Sequence, residues 1–218
     1  MLKLLLRFCF LIIFSIILTG CDTLNLPNKQ TKFEMIPSAT RAATLNQLKT
    51  WRSSGAFSIT QHLGEPNQTA QIAHFVWDQF GSKQYEINIS SALGLYQLQI
   101  LKRLGSITLW KNTTIATTAT TPEGLMQNAV GWSLPISNLY FWIRGIPAPG
   151  KSIATYDQFG HLKTLKQQGW DLTYTQYKTK EGIDLPQTII MKRQDMSVKI
   201  VIQEWNQFMQ HYPMSESK

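Results

Sequence analysis

From Ala70 to Leu109 apolar and polar residues alternate through successive short runs, and the links between runs are only a few residues long. A period of two places alternate side chains on opposite faces of a strand. In Ala70 to Trp77, one face carries Ala73, Phe75 and Trp77 and the other Ile72, His74 and Val76. Tyr85, Ile87 and Ile89 alternate with polar residues, as do Tyr96, Leu98 and Ile100, then Ile107 and Leu109. Gly55-Ala56-Phe57-Ser58-Ile59 is an earlier strand of the same kind. Consecutive strands with short links predict an antiparallel meander with one face buried. One link is unusual. Ser90-Ser91-Ala92-Leu93-Gly94-Leu95-Tyr96 is a turn carrying two leucines, and turns are normally polar.

Helical spacing appears in three places. Leu45, Leu48 and Trp51 predict a helix over 38–51, with Ser38 or Thr40 as its cap. Thr121-Pro122-Glu123 reads as a second helix start, followed by Leu125, Met126, Ala129 and Val130. A third helix after Pro135 carries Ile136, Leu139, Tyr140, Trp142 and Ile143, and Gly145 ends it. The last two are too apolar to stand in water, so they lie against the sheet or over its opening. Strands resume after Lys151, with turns at 157–160 and 167–169 and a final pair over 188–191 and 198–202.

The N-terminus sets the compartment. Lys3 and Arg7 precede an apolar run from Phe8 to Leu18, shorter than the ~20 residues that span a bilayer. Leu18-Thr19-Gly20-Cys21 follows. Residues 1–20 read as a secretory signal whose end resembles the bacterial lipobox, so Cys21 is the expected lipidation site; the alternative is an ordinary signal peptide, or an uncleaved anchor, with a chance cysteine. Acyl chains on Cys21 anchor the chain without a spanning helix. Residues 21–37 read as a polar tether, 38–210 as the domain and 211–218 as a loose tail. The only other cysteine, Cys9, leaves with the signal. The domain thus has no thiol for a disulfide, a metal or a nucleophile.

Removing Lys3 and Arg7 from 21 basic residues leaves 19 against 13 acidic ones, a net +6. The basic residues are scattered, and export argues against nucleic acid. Mild attraction to anionic headgroups fits better. The histidines, His62, His74, His161 and His211, form no metal-binding pair at short spacing. His74 reads as a packed or hydrogen-bonded strand residue. Asp157, Asp171, Glu181 and Asp184 read as turn and surface acids, although folding could bring two carboxylates together. No cofactor motif is present, and an enzyme is the weaker reading. What remains is an aromatic, half-covered sheet able to enclose an apolar cavity.

The chain resembles the LolB family of outer-membrane lipoprotein receptors nearly throughout. The matching pieces are Leu18-Thr19-Gly20-Cys21, Trp51-Arg52-Ser53-Ser54-Gly55-Ala56-Phe57, Phe75-Val76-Trp77 and Ala92-Leu93-Gly94. Leu134-Pro135-Ile136 with Leu139, Trp142, Gly145 and Pro147 follows, then Gly169-Trp170 and Trp205. The resemblance implies a mainly β fold with helices. Its antiparallel sheet is curled into an incomplete barrel and covered by helices over an apolar cavity. It implies that the protein accepts lipoproteins from a LolA-like periplasmic carrier and places their acyl chains in the outer membrane. No metal or nucleotide takes part, and a monomer is expected.

Through the resemblance, Leu93 is the membrane-insertion residue, assisted by Leu95. The alternative is that Leu93 folds back on the sheet edge. Expected in or near the cavity wall are Phe57, Phe75, Trp77, Ile87, Ile89, Leu98, Ile100, Leu109, Trp142 and Tyr174, although the same residue types serve a solid core. Arg144 either snorkels toward a headgroup or faces solvent. Two positions depart from the family. Ala92 stands where proline is common, and Asp22 follows Cys21, a pattern that in some bacteria favours inner-membrane retention. The rival function is a lipid-binding or structural lipoprotein without transfer.

Overall fold

The first strand of the chain lies at the middle of the sheet. A computed structural model describes residues 32–61, 70–103, 105–112, 114–119 and 121–207. Cys21, the signal, His62, Phe208, His211 and the tail lie outside the described residues. Trp51–Gln61 (β1) pairs on one side with Gln71–Phe80 (β2). From there Gln84–Ser91 (β3), Gln97–Arg103 (β4), Ser106–Lys111 (β5) and Thr114–Ala119 (β6) step outward as one antiparallel meander. On its other side β1 pairs with the last strand, Met196–Gln207 (β11). Ile183–Arg193 (β10), Trp170–Lys180 (β9), Leu162–Gln167 (β8) and Ile153–Tyr156 (β7) then step outward to the opposite edge.

The described strands form one eleven-stranded sheet in the order β6-β5-β4-β3-β2-β1-β11-β10-β9-β8-β7. β6 and β7 are its edges, so the sheet is open rather than a closed barrel. Irregularities at Ser54/Gly55, Leu109/Trp110, Thr155/Tyr156 and Pro186/Thr188 bend it. At the first of these, the backbone of β11 passes so near Gly55 that a Cβ there would meet the Val201 carbonyl oxygen. β6 is threonine-rich and carries no apolar alternation, so periodicity does not reveal it.

The chain must return from one edge of the sheet to the other between β6 and β7. That connection holds Pro122–Val130 (α2) and Ile136–Trp142 (α3). Their apolar residues Leu125, Met126, Ile136, Leu139 and Trp142 are buried. The two helices are thus the cover of the open sheet because they are the link between its edges.

The core runs along the inner face. Trp51 packs between Trp77 and Trp205, with ring centroids 5.2 and 5.4 Å away. Phe57, Ile59, Phe75, Ile87, Ile89, Leu98, Ile100 and Leu109 extend it across five strands. Each such side chain contributes about 1.5–3 kcal/mol when fully buried. His74, on the outward face of β2, is exposed rather than packed, because it alternates with buried Ala73 and Phe75.

The first helix is shorter than the spacing predicts. Ser38–Gln47 (α1) ends at Leu48, and Trp51 opens β1. Pro37 holds the N-cap position, and neither Ser38 nor Thr40 caps; Thr121 likewise makes no side-chain bond at the start of α2. At the far end of α1, Arg144 Nη1 donates to the carbonyls of both Leu45 and Leu48 at 2.8 Å. A cation there satisfies orphan carbonyls and suits the helix dipole. Arg144 therefore neither snorkels nor faces solvent. It is 1% exposed, stacks on the Tyr140 ring at 4.1 Å, and burial lowers its pKa.

Residues from Phe33 onward form one compact unit with its own core. Residues 33–37 thus belong to the folded unit rather than to a tether. The Phe33 ring lies 4.7 Å from His161, and Ile36 N donates to the Phe159 carbonyl. Gly160, at φ 78°, lets the Ile36 carbonyl approach where a Cβ would collide with it.

The register defines two rims. Trp51, Gln79 and Gln207 lie side by side on one. Gln61 and Met196 lie on the other, with the β3–β4 hairpin, the β8–β9 turn and the β10–β11 turn.

Candidate lipid-binding site

The β3–β4 hairpin is held by its own backbone. Ser91 N donates to the Tyr96 carbonyl at 3.0 Å, and Gly94 N donates to the Ser91 carbonyl at 3.0 Å. Tyr96 N donates to Ser91 Oγ at 3.1 Å, and Ala92 N reaches across to the Ile72 carbonyl at 2.9 Å. Gly94 takes φ 68°, which glycine adopts without strain. This turn projects Leu93 and Leu95 outward, 83% and 74% exposed. Leu93 does not fold back on the sheet edge.

Below the cover lies an apolar void of about 30 Å³. The sheet contributes Phe57, Phe75, Trp77, Ile87, Ile89 and Ile200 to its lining, and the cover contributes Leu134, Ile136, Leu139 and Ile143. None of these is polar. Leu98, Ile100 and Leu109 lie on the same inner face but do not line the void, and fill the core beside it. Trp142 and Tyr174 serve as struts instead. Trp142 Nε1 donates to Gln167 Oε1 at 2.9 Å, and the Tyr174 hydroxyl donates to the Trp142 carbonyl at 2.9 Å. Ile136, Leu139 and Ile143 were visible in the sequence as an apolar helix face, whereas Leu134 before the helix and Ile200 on β11 were not expected in the lining. What periodicity lacks is which inner-face strand residues that face would meet.

The cover touches the sheet through few polar bonds. Lys111 Nζ donates to the Ala129 carbonyl at 2.7 Å, and Trp132 Nε1 donates to Gln71 Oε1 at 3.1 Å. Glu123 accepts from Ser137 N at 3.1 Å, joining the start of α2 to α3. Gln61 Nε2 donates to the Gly131 carbonyl at 3.3 Å, and Trp142 ties the end of α3 to Gln167 and Tyr174. The part of the cover that faces β1–β3 over the void, through Leu134, Ile136, Leu139 and Ile143, is apolar.

A polar cluster lies apart from the void, where α1 meets β9 and β10. Asp184 is buried there and is not the surface acid its turn position predicts. It accepts from Arg41 Nη1 at 2.7 Å and from Thr179 Oγ1 at 2.6 Å, and His161 Nε2 lies 3.0 Å away. His161 Nδ1 lies 3.0 Å from Asp157, and the Tyr177 ring stacks on the imidazole at 4.3 Å. Burial pushes the Asp184 carboxyl up, but Thr179, His161 and Arg41 outweigh it and hold it below the ordinary range. Every member is occupied with another, and the cluster ties the N-terminal segment to the sheet. Among the described residues no group of His, Cys, Asp and Glu is arranged to hold a metal, and no helix is long and apolar enough to cross a membrane.

Residues 49–205 match the family model described as outer membrane lipoprotein LolB. The chain belongs to the LolB family. An outer-membrane lipoprotein LolB from Coxiella burnetii (strain RSA 493) is 43% identical over 201 residues, covering 91% of this chain and 93% of that one. The LolB of Pseudomonas savastanoi pv. phaseolicola is 34% identical over 198 residues, covering 89% and 94%. Among solved structures, a LolA superfamily protein from Nitrosomonas europaea superposes with a TM-score of 0.52 at 8% identity, over 81% of this chain and 96% of that one. A DUF1329 family protein from Desulfovibrio piger gives 0.51 at 11% identity, over 78% and 91%. These two likenesses concern the fold alone.

Proposed function

We propose that this LolB family member accepts lipoproteins from a LolA-like carrier, holds their acyl chains between α2–α3 and the inner face of the sheet, and delivers them to the outer membrane. In this reading Cys21 carries the lipid anchor, residues up to 32 form the tether, and the chain faces the periplasm. Leu93, aided by Leu95, enters the bilayer at the moment of delivery.

The observation that carries the reading is the exposure of Leu93 on a hydrogen-bonded hairpin. A leucine so placed gains roughly 1.5–3 kcal/mol only when something apolar covers it. The apolar void supports the storage step. At about 30 Å³ it is far below the few hundred Å³ that a ligand pocket needs. Cargo must lift the cover, and the apolar contact between α3 and β1–β3 is where it enters. Lifting requires no chemical energy if the acyl chains replace the cover on the same apolar face. Delivery then runs downhill into the bilayer, where each methylene is worth ~0.8 kcal/mol.

The test is transfer of a labelled lipoprotein from the loaded carrier of the same organism. The label should move to the chain lacking its acyl anchor. Leu93→Glu should still accept it but fail to pass it to outer-membrane vesicles. No movement of label, with both proteins folded, would leave a lipid-binding lipoprotein without transfer as the better account.

A further inference from the structure

The rim that carries Leu93 also carries a basic groove. It lies between the start of β7, the β8–β9 turn and the β10–β11 turn, encloses about 920 Å³ and opens to solvent. Lys151, Lys166, Lys192 and Arg193 line it with Ile153 and Trp170. Two carboxylates oppose these four cations. Lys166 Nζ is 3.3 Å from Asp171, and Arg193 Nε is 2.7 Å from Asp195. Both pairs are exposed, and exposed pairs hold their partners weakly. Lys151 and Lys192 have no ion-pair partner among the described residues. Arg193 also lies over the Trp170 ring at 5.0 Å, which keeps its guanidinium at the groove.

Of the six large hydrophobic residues exposed among the described residues, four stand on the same rim; Met35 and Tyr156 do not. Ile72 is 52% exposed and Ile153 70%, and both stand there with Leu93 and Leu95. The β3–β4 hairpin and the β10–β11 turn are four strand spacings apart, about 20 Å along the sheet. Apolar tips flanked by lysines describe a surface that rests on an anionic bilayer, with the tips in acyl chains and the ammonium groups at phosphates.

We infer that this rim docks on anionic phospholipid, the groove taking lipid phosphates through Lys151 and Lys192 while the Leu93 hairpin enters the acyl layer. The orientation rests on the Leu93 reading above; the groove itself does not.

The experiment uses the chain from residue 22 onward without acyl chains, whose folded unit begins at Phe33. Its binding to phosphatidylcholine vesicles with and without phosphatidylglycerol is measured by sedimentation. Binding should be tighter with phosphatidylglycerol and weaken with salt. The double variant Lys151→Gln, Lys192→Gln should lose about fivefold per lysine on anionic vesicles and nothing on neutral ones. A control pair near the opposite rim, Lys83→Gln with Lys178→Gln, should change little. The inference is overturned if the double variant keeps its anionic preference, or if the control pair loses as much. It is also overturned if the double variant slows transfer from the carrier while vesicle binding stays intact, since the groove would then serve a protein. Leu93→Gln, which removes the apolar tip without adding charge, separates the two readings. It should weaken binding to both vesicle types by one factor and leave the preference intact. If it changes neither while the double variant loses its preference, the Leu93 reading fails and the groove stands.

Discussion

Arg41 Nη1 lies 2.7 Å from Asp184 Oδ2, joining two buried side chains 143 residues apart. The same guanidinium donates to the carbonyls of Glu34 and Phe159 at 3.1 and 2.9 Å. One side chain therefore fastens the start of the folded unit, α1 and β10 together.

This pair makes stability sensitive to acid. The Asp184 carboxyl is held below its ordinary 3.8 in the folded state. Its stabilisation is present above the unfolded value and is lost as pH falls through the lower folded one. Thermal unfolding should show an acid-sensitive component below about pH 4, and Asp184→Asn should remove it. At neutral pH that variant leaves Arg41 buried without its carboxylate and should cost about 3 kcal/mol, read from denaturant midpoints.

Arg144 should matter through the end of α1 rather than through its charge at a surface. Arg144→Met takes the side-chain donor from the Leu48 carbonyl and leaves the Leu45 carbonyl with the Leu48 N–H alone. A loss of about 2–3 kcal/mol is expected, with faster amide hydrogen exchange concentrated at α1 and the start of β1. Arg144→Lys should recover part of this, because an ammonium lacks the planar fork but keeps a donor.

Leu139 lines the void from the cover. Leu139→Ala should lower stability by about 2–5 kcal/mol, and the larger apolar space should bind a fluorescent fatty-acid analogue more tightly than the parent. Equal binding by both would separate the void from lipid storage.

Leu93→Glu should leave the midpoint of unfolding within about 0.5 kcal/mol of the parent, since the side chain touches little. Loss of membrane placement with stability unchanged would assign Leu93 to function alone. A large loss of stability would instead mean that the leucine packs in solution.

Much of the sheet was legible because each strand states its own inner face. Phe75 and Trp77, or Ile87 and Ile89, need no distant information to alternate. β6 was hidden because Thr114–Ala119 has no apolar alternation and forms by pairing with β5. The partner of the helix end at Leu48 was hidden for a related reason: the side chain that bonds its carbonyl is Arg144, nearly a hundred residues later.

By itself the sequence determined the strand faces, the apolar helices and the leucine turn, since each depends on neighbours within a few residues. Tertiary structure alone decided that β1 and β11 meet at the centre of the sheet, so that α2 and α3 link its two edges and become its cover. It decided which apolar residues face the void and which fill the core, a distinction that side-chain chemistry cannot make. It also gathered Lys151, Lys192 and Leu93 on one rim, because the register of paired strands, and no local pattern, sets which turns lie side by side.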